Sequence, residues 1–315
     1  MRFIRSVIFL FISFFALTAQ VLANSVVNVY SFRKAEIISP LITAFEQEHN
    51  VRVNLVYGKP KALLNKFTAN ADTSQVDVLL TSELGQLQSV KHLLQPINIR
   101  TSSIAPQLED DEYKWVALSL RIRALFSRKN EEAITSYREL DSEQFYGKLC
   151  NRDFNHTYNQ QMEKSLHAIG NNQDVKWLKS YVSLLKKRPS GGDRDQLRAV
   201  FKNQCDYALA NHYYYHMLRN SKKPSDREVA ASLSMHFLTT YNGKTPVSAT
   251  AAAISQFAPN KENAQRFVNY LLSSNAQAMI ANELHEFAVN KHVRDRQLVH
   301  YPNLSLSLQS VKRAL

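Results

Sequence analysis

The sequence is poor in glycine and cysteine and lacks the common signatures of enzymes. Seven of its 315 residues are glycine and two are cysteine. So few glycines disfavour a glycine-rich loop that cradles phosphates, because such a loop needs several of them close together. No GxSxG, HExxH, Walker or strand-following GxGxxG pattern occurs in the chain. We therefore expect a binding protein and not an enzyme.

The N-terminal segment is typical of a secretory signal peptide. Arg2 and Arg5 precede an apolar run from Ser6 to Leu17, and small residues follow at the end of Val21-Leu22-Ala23. At about a dozen residues the run is too short for a comfortable membrane span, although an uncleaved anchor is the alternative. We expect cleavage before Asn24 and an exported, soluble mature chain.

The exported chain is strongly basic. The formal net charge is +12 for the full sequence and +10 without the two arginines of the signal segment. A basic balance favours anionic partners. No run rich in Arg and Lys is interleaved with aromatic residues, so we do not expect nucleic acid as a partner.

Export also bears on the two cysteines, Cys150 and Cys205. They are a small even number in a chain bound for an oxidising compartment. One intramolecular disulfide is the first expectation, and two separate buried thiols are the alternative.

Strands and helices alternate along the chain. In the first part, the hydrophobic pattern predicts strands at 26–30, 51–58 and 76–80, with helices at 37–48 and 62–67 between them. This alternation favours a parallel, doubly wound α/β layer. Further strands are predicted at 147–152, 205–210, 235–240 and 249–255, and further helices at 160–169, 175–187, 261–272 and 275–284.

One apolar segment, Trp115 to Ser127, is unusually long for a single strand. Its alternation places Arg121 and Arg123 on the same side. We expect this segment to cross between two lobes.

Three adjacent tyrosines follow a predicted strand in the stretch from Gly191 to Leu218. Asp193 begins a helix, the strand 205–210 comes next, and Asn211 is predicted to cap a second helix that opens with Tyr213, Tyr214 and Tyr215. In open α/β sheets, ligands bind beyond the carboxyl ends of the strands, near the positive ends of helices. Packing is the alternative reading, because successive helical residues point about 100° apart and at least one must face the core.

Clustered tyrosines near a crevice indicate ferric iron. A phenol must lose its proton to ligate a metal, and its ordinary pKa is about 10. A trication such as Fe³⁺ is acidic enough to recruit several phenols and prefers hard oxygen donors. His212 and His216 are one helical turn apart, but without a glutamate at the protease spacing a zinc site is disfavoured. Positive charges that could favour phenolates lie at Arg33, Arg121, Arg123 and Arg152, although each alone is more often a solvated surface charge.

At these residues the chain resembles the periplasmic ferric-iron-binding proteins that deliver iron to ABC importers. The likeness spans essentially the whole mature chain, with several long motifs in the same order. It is carried by Tyr30-Ser31-Phe32-Arg33, Val76-Asp77-Val78-Leu79-Leu80-Thr81, Arg121-Ile122-Arg123, Gly147-Lys148-Leu149-Cys150, Asn155-His156-Thr157-Tyr158-Asn159, Gly191-Gly192-Asp193-Arg194-Asp195-Gln196 and Asn211-His212-Tyr213-Tyr214-Tyr215.

The resemblance implies an α/β, two-lobed periplasmic binding protein with a hinged cleft, each lobe being a mixed, largely parallel sheet flanked by helices. The first lobe is expected to comprise residues 24–121 and 235–285, and the second lobe residues 122–234 and 286–315. It also implies a monomer that passes ferric iron to the permease of an ABC importer in the inner membrane.

The same resemblance implies that Tyr158, Tyr213 and Tyr214 hold the iron. By the rotation of the helix, Tyr215 would then turn away and pack. Lys34, Ala35 and Glu36 stand where some members carry a first-lobe His or Tyr ligand, and the segment Thr245–Ala251 also departs from the family pattern. We expect a co-bound anion such as carbonate to complete the site. Its predicted partners are Arg33, Arg121 and Arg123, and Glu36 is the rival as an additional ligand.

A second function stays open at this point. A two-lobed protein whose iron site has degenerated would bind an organic or phosphate-like anion with the same arginines. Such a protein would have no need to keep all three tyrosines. An exported hydrolase is a weaker third reading, since no nucleophile has a recognisable base.

Overall fold

The computed structural model describes residues 25–69, 71–129 and 131–315. The predicted signal peptide, residues 1–23, lies outside the described residues. Within them, no helix is both long and apolar enough to cross a membrane. The strands are β1 Val26–Ser31, β2 Arg52–Tyr57, β3 Val78–Leu80, β4 Leu94–Gln95, β5 Val116–Arg121, β6 Arg123–Arg128, β7 Leu149–Cys150, β8 Tyr207–Asn211, β9 Leu233–His236, β10 Thr245–Pro246, β11 Ser248–Ser255, β12 Phe287–Ala288 and β13 Leu306–Ser307.

The helices cover most of the remaining chain. The segment Leu84–Leu93, between β3 and β4, is a 3-10 helix. The α-helices are α1 Ala35–His49, α2 Pro60–Ala69, α3 Thr157–Ile169, α4 Asn172–Val175, α5 Tyr181–Leu184, α6 Asp193–Phe201, α7 His212–Arg219, α8 Pro224–Ala231, α9 Lys261–Leu271, α10 Ser274–Asn282, α11 Arg296–His300 and α12 Gln309–Arg313.

Two main sheets organise the fold. The larger has the order β12-β5-β11-β3-β1-β2, with β4 also paired to β11, and the smaller has the order β7-β8-β6-β9. A large apolar cluster surrounds the first sheet. On β6, Phe126 packs in one cluster and the adjacent Leu125 in another, because successive side chains of a strand face opposite sides. Two α/β layers are thus present, as the sequence predicts.

The long apolar segment does cross between the sheets. β5 belongs to the larger sheet and β6 to the smaller, and the buried Ile122 is the single residue between them. The chain returns to the larger sheet after β9. β11 lies antiparallel to β5. The chain runs along β5 towards the smaller sheet and along β11 in the opposite direction, because it is then coming back from that sheet.

This return explains why the prediction of largely parallel sheets is wrong. The parallel pairs in the two main sheets are β1–β2, β1–β3 and β7–β8. The antiparallel pairs are β11 with β3, β4 and β5, β12 with β5, and β6 with β8 and β9. Both sheets are therefore mixed, with antiparallel pairs in the majority.

The predicted lobe boundaries differ from the sheets at two edges. Met235 and His236 stay in the smaller sheet as part of β9, and residues 287–288 join the larger sheet as β12. Both short pieces take their place from hydrogen bonds to a distant strand, which the local hydrophobic pattern does not encode. The division of the chain into lobes otherwise remains a prediction.

The helix predicted at 175–187 is also interrupted. It forms α4, a one-turn 3-10 helix and α5. The chain then extends, because Leu185 pairs with Leu149 and the Lys186 amide donates to the Leu149 carbonyl. Pairing with β7 therefore overrides the helical pattern.

Candidate functional site

Three tyrosine side chains meet where two helices begin. Tyr158 lies in the first turn of α3, while Tyr213 and Tyr214 lie in the first turn of α7, directly after β8. The Tyr213 hydroxyl donates to the Tyr158 hydroxyl at 3.4 Å, and the rings of Tyr213 and Tyr214 have centroids 4.3 Å apart. The positive ends of both helix dipoles thus point towards the phenols, which favours negative charge there.

Tyr215 points elsewhere, as the helix geometry predicts. Its ring packs 5.9 Å from that of Phe126, centroid to centroid, and joins an apolar cluster of the smaller sheet. One tyrosine of the three therefore anchors α7 to the sheet.

Each of the two helices is held at its start in a different way. The ring nitrogen Nδ1 of His156 accepts a hydrogen bond from the Tyr158 amide at 3.2 Å and caps α3. Asn211 stands at the N-cap of α7 as predicted, but its side chain makes no capping hydrogen bond. Its amide oxygen instead accepts from Arg123 at 3.4 Å.

Burial favours the neutral form of two of the phenols, those of Tyr213 and Tyr214. It raises the pKa of Tyr213 and of Tyr214 well above the ordinary value, and the neighbouring Tyr158 raises both pKa values further. The Arg121 guanidinium lowers the pKa of Tyr213 in part. A metal that binds here must therefore displace protons.

Two guanidiniums flank the Tyr158 ring. The carbon Cζ of Arg121 lies 5.3 Å from the ring centroid and that of Arg152 lies 5.1 Å from it. Both distances are within the range of cation–π interactions. These positive charges fit a site in which Tyr158 becomes an anion.

The three arginines predicted to hold an anion are instead paired with buried carboxylates. Arg33 Nη2 lies 2.5 Å from Glu286, Arg121 Nη2 2.8 Å from Glu83, and Arg123 Nη1 2.6 Å from Asp193. Each arginine is at most 6% exposed. An anion near these arginines would have to compete with the carboxylates. None of the three guanidiniums therefore has both of its terminal nitrogens free to bind an anion.

Burial disfavours the charged form of one of these carboxylates, Glu83. Burial raises its pKa to about 7, although Arg121 acts in the opposite direction. Neither of its carboxylate oxygens accepts a hydrogen bond of good geometry within the described residues. Arg121 thus contacts both Glu83 and the ring of Tyr158.

A cavity of about 480 Å³ opens beside Tyr213 and Tyr214. Lys34 and Glu36, which stand where some family members carry a first-lobe ligand, line this cavity and are exposed. Glu36 lies in the first turn of α1. Its other charged lining residues are Arg194 and Glu283. The structure therefore brings Glu36 to the same cavity as two of the tyrosines.

The other segment that departs from the family pattern, Thr245–Ala251, lies mostly in strands. Thr245 and Pro246 form β10, and Ser248 begins β11. The hydroxyl groups of Thr250 and Ser119 lie 2.6 Å apart inside the larger sheet. Residues 246–248 approach Tyr158 across a small gap of about 10 Å³.

The histidine pair has a packing role. His212 is fully buried, stacks on Phe287 with centroids 4.6 Å apart, and accepts a hydrogen bond from the Ile122 amide at 3.2 Å. Burial holds the pKa of His212 well below its ordinary value and lowers that of His216 to about 4. Among the described residues, no group of three His, Cys, Asp or Glu side chains is arranged to hold a metal.

Sequence reasoning missed the acidic partners Glu83 and Glu286 and the cavity residues Arg194 and Glu283. Isolated charged residues are ordinarily solvated, so nothing in their local pattern distinguishes them. Asp193 carried a partial signal, since it was predicted at the start of α6. The disulfide Cys150–Cys205 is present, as expected.

Comparison with protein families places residues 27–283 in the bacterial extracellular solute-binding protein family. Iron uptake protein A1 of Synechocystis is 30% identical over 271 residues, covering 84% of this chain and 75% of the relative. The major ferric iron-binding protein of Neisseria meningitidis serogroup B is 25% identical over 297 residues, covering 88% of this chain and 85% of the relative.

Solved structures show the same two-lobed fold. The Trichodesmium protein IdiA (FutA), solved in complex with iron and citrate, superimposes with a TM-score of 0.80 at 30% identity, over 92% of this chain and 94% of that one. A ferric-binding protein from Bordetella gives a TM-score of 0.81 at 30% identity, with the same coverage of both chains.

Proposed function

The chain belongs to the bacterial extracellular solute-binding protein family, and from this premise we propose that it captures ferric iron in the periplasm and delivers it to an ABC-type importer. It acts as a monomer, catalyses no reaction, and binds the permease of the importer in the inner membrane. The predicted signal peptide, residues 1–23, directs the chain to the periplasm.

The convergence of Tyr158, Tyr213 and Tyr214 carries the proposal. The hydroxyls of Tyr158 and Tyr213 are 3.4 Å apart, and the Tyr214 ring lies 4.3 Å from the Tyr213 ring, centroid to centroid. Three phenolates balance the charge of Fe³⁺. Because burial raises the pKa of Tyr213 and Tyr214, a strongly acidic trication suits the site better than a dication.

Three phenolates leave open positions on a hard cation, which prefers about six oxygen ligands by analogy with Ca²⁺ and Mg²⁺. We assign these positions to an anion such as carbonate, with Glu36 as the rival protein ligand. Lys34 and Arg194 are the cationic residues that line the cavity beside the tyrosines. They replace the paired arginines Arg33, Arg121 and Arg123 as partners for that anion.

A spectroscopic titration tests the proposal. Ferric phenolate absorbs visible light by charge transfer, so the protein should turn coloured on addition of ferric citrate, with one iron bound per chain. The alternative function, binding of an organic or phosphate-like anion alone, predicts heat of binding in a calorimeter with citrate or phosphate and no colour with iron. A colourless protein with stoichiometric ferric citrate would therefore contradict iron capture.

A further inference from the structure

A single buried carboxylate, Asp193, joins the two segments that carry the tyrosines. Asp193 is the first residue of α6, and its side chain has no exposed surface. Neither Tyr158 nor Tyr213 is near it in sequence. It contacts both segments through hydrogen bonds of its two oxygens.

The first connection runs to the start of α7. Oδ2 of Asp193 accepts a hydrogen bond from the backbone N–H of Asn211 at 2.8 Å. Asn211 is the N-cap residue of α7, and its own side chain leaves the first turn uncapped. Asp193 thus fixes the backbone directly before Tyr213 and Tyr214.

The second connection runs to Tyr158. Oδ1 of Asp193 accepts from Arg152 Nη1 at 3.2 Å. The Arg152 guanidinium lies over the Tyr158 ring at 5.1 Å. Arg152 thus connects the Asp193 carboxylate to the ring of Tyr158.

Arg123 holds the carboxylate itself in place. Its Nη1 donates to Asp193 Oδ2 at 2.6 Å, and its Nη2 donates to Asn151 at 3.0 Å and to the Leu209 carbonyl at 2.9 Å. These partners lie on the segments that lead to Tyr158 and to α7. A buried charge with this many partners is costly to disturb, because loss of one member leaves the others unpaired.

We propose that Asp193 is the positioning residue of the iron site: it sets the separation between Tyr158 and the pair Tyr213 and Tyr214 without touching the metal. The inference rests on the proposed function, since it needs those three tyrosines to be the ligands. It assigns the arginines Arg123 and Arg152 to the support of the tyrosines and not to an anion.

Position and charge predict opposite effects at this residue. Removal of a negative charge beside the phenols favours phenolates, so charge alone would strengthen iron binding when Asp193 becomes Asn. Loss of the position weakens binding, and outer partners of metal ligands typically contribute about 10- to 100-fold in affinity. The sign of the change therefore separates the two roles.

The test compares Asp193→Asn with Asp226→Asn in the full-length mature protein. Asp226 is the control, since it also pairs with an arginine, Arg198, at 2.7 Å, and its other oxygen accepts from Ser221, beyond the C-terminal end of α7. Both variants are titrated with ferric citrate while the visible band is recorded. We expect Asp193→Asn to bind iron about 10- to 100-fold more weakly, with a shifted and weaker band for each iron bound, and Asp226→Asn to match the wild type. Wild-type affinity with an unchanged band in Asp193→Asn would overturn the proposal.

Two further arms keep the test decisive. A wild-type protein without any ferric band would refute the iron site itself, and the positioning role with it. If Asp193→Asn does not fold, Arg152→Gln breaks only the partly exposed connection to Tyr158. Arg152→Gln should lose the part of the visible ferric-phenolate band that Tyr158 contributes. An unchanged band would overturn the proposal that Asp193 positions Tyr158 through Arg152.

Discussion

At the scale of single residues, the three adjacent tyrosines have two different tasks. Tyr213 and Tyr214 face the cavity, while Tyr215 packs on Phe126. The helical rotation of about 100° per residue separates them. A substitution that removes only the hydroxyl therefore has a matched internal control.

We predict that Tyr213→Phe loses iron binding and Tyr215→Phe keeps it. The first variant removes an anionic oxygen from the metal, and the second removes a hydroxyl from a packing residue. Iron affinity measured by competition with citrate should fall more than about 100-fold for Tyr213→Phe, beyond what loss of an outer partner costs. Equal losses in both variants would show that the hydroxyls act on stability and not on iron.

Glu36 allows a second prediction at this scale. It lies in the first turn of α1, where an acid compensates the helix dipole and needs no further role. We expect Glu36→Ala to bind iron like the wild type in carbonate buffer, and the wild type to bind poorly in buffer stripped of carbonate and phosphate. Full binding by the wild type without any anion, together with no binding by Glu36→Ala, would make Glu36 the fourth protein ligand.

At the scale of secondary-structure elements, β7 and β8 are linked both by backbone pairing and by the disulfide. Cys150 ends β7, and Cys205 lies two positions before the first residue of β8. The two cysteines are 55 positions apart in sequence, and their Cα atoms are 5.8 Å apart. The crosslink therefore braces the segment before Tyr158 against the strand before Tyr213.

Replacement of both cysteines by alanine should destabilise the protein. The crosslink closes a loop of roughly 54 residues, which the chain-entropy model values at about 4 kcal/mol. Urea unfolding followed by circular dichroism should show a lower midpoint than in the wild type. Oxidised and reduced wild-type protein with the same midpoint would contradict this prediction.

At the scale of the whole molecule, the crossing at Ile122 is coupled to the tyrosine helix. The Ile122 amide donates to the His212 ring, and the His212 amide donates to the Ile122 carbonyl at 3.0 Å. His212 is the first residue of α7. A rotation of the lobes about this crossing would therefore carry the neighbouring tyrosines with it.

Iron should stabilise the folded protein as a whole. A ligand bound only by the native state adds RT ln(1 + [L]/Kd), or about 4 kcal/mol at a free concentration of 1,000 Kd. We expect the midpoint of thermal unfolding to rise with ferric loading in a non-chelating buffer. An unchanged midpoint at stoichiometric iron would contradict the proposed function, and Tyr213→Phe should show no rise.

Iron binding should also release protons. The pKa values of Tyr213 and Tyr214 lie above their ordinary range, so both phenols are protonated at neutral pH and must ionise to bind. Affinity therefore rises with pH and falls with acidification, by up to about tenfold per pH unit for each proton released. Calorimetry in two buffers of different ionisation enthalpy counts these protons, after correction for ferric citrate alone, and a count of zero would rule out phenolate ligation.

The sequence by itself determined the features that depend on neighbouring residues. The alternation of strands and helices, the crossing segment 115–127 and the placement of Tyr213 after β8 all follow from periodicity over a few residues. The family resemblance pointed to Tyr213 and Tyr214 as ligands, and the rotation of the helix then turned Tyr215 away from them. Such local patterns hold where no distant strand competes for the backbone, as β7 does within the helix predicted at 175–187.

Only the tertiary structure decided which charges meet. Arg33 pairs with Glu286 across 253 positions of the sequence, and Arg123 pairs with Asp193 across 70. Such pairs are made by segments that fold together from distant parts of the chain, so each residue alone has the pattern of a solvated surface charge. For the same reason, neither the antiparallel pairing of β11 nor the contacts of Asp193 with Arg123, Arg152 and Asn211 could be predicted from the local sequence.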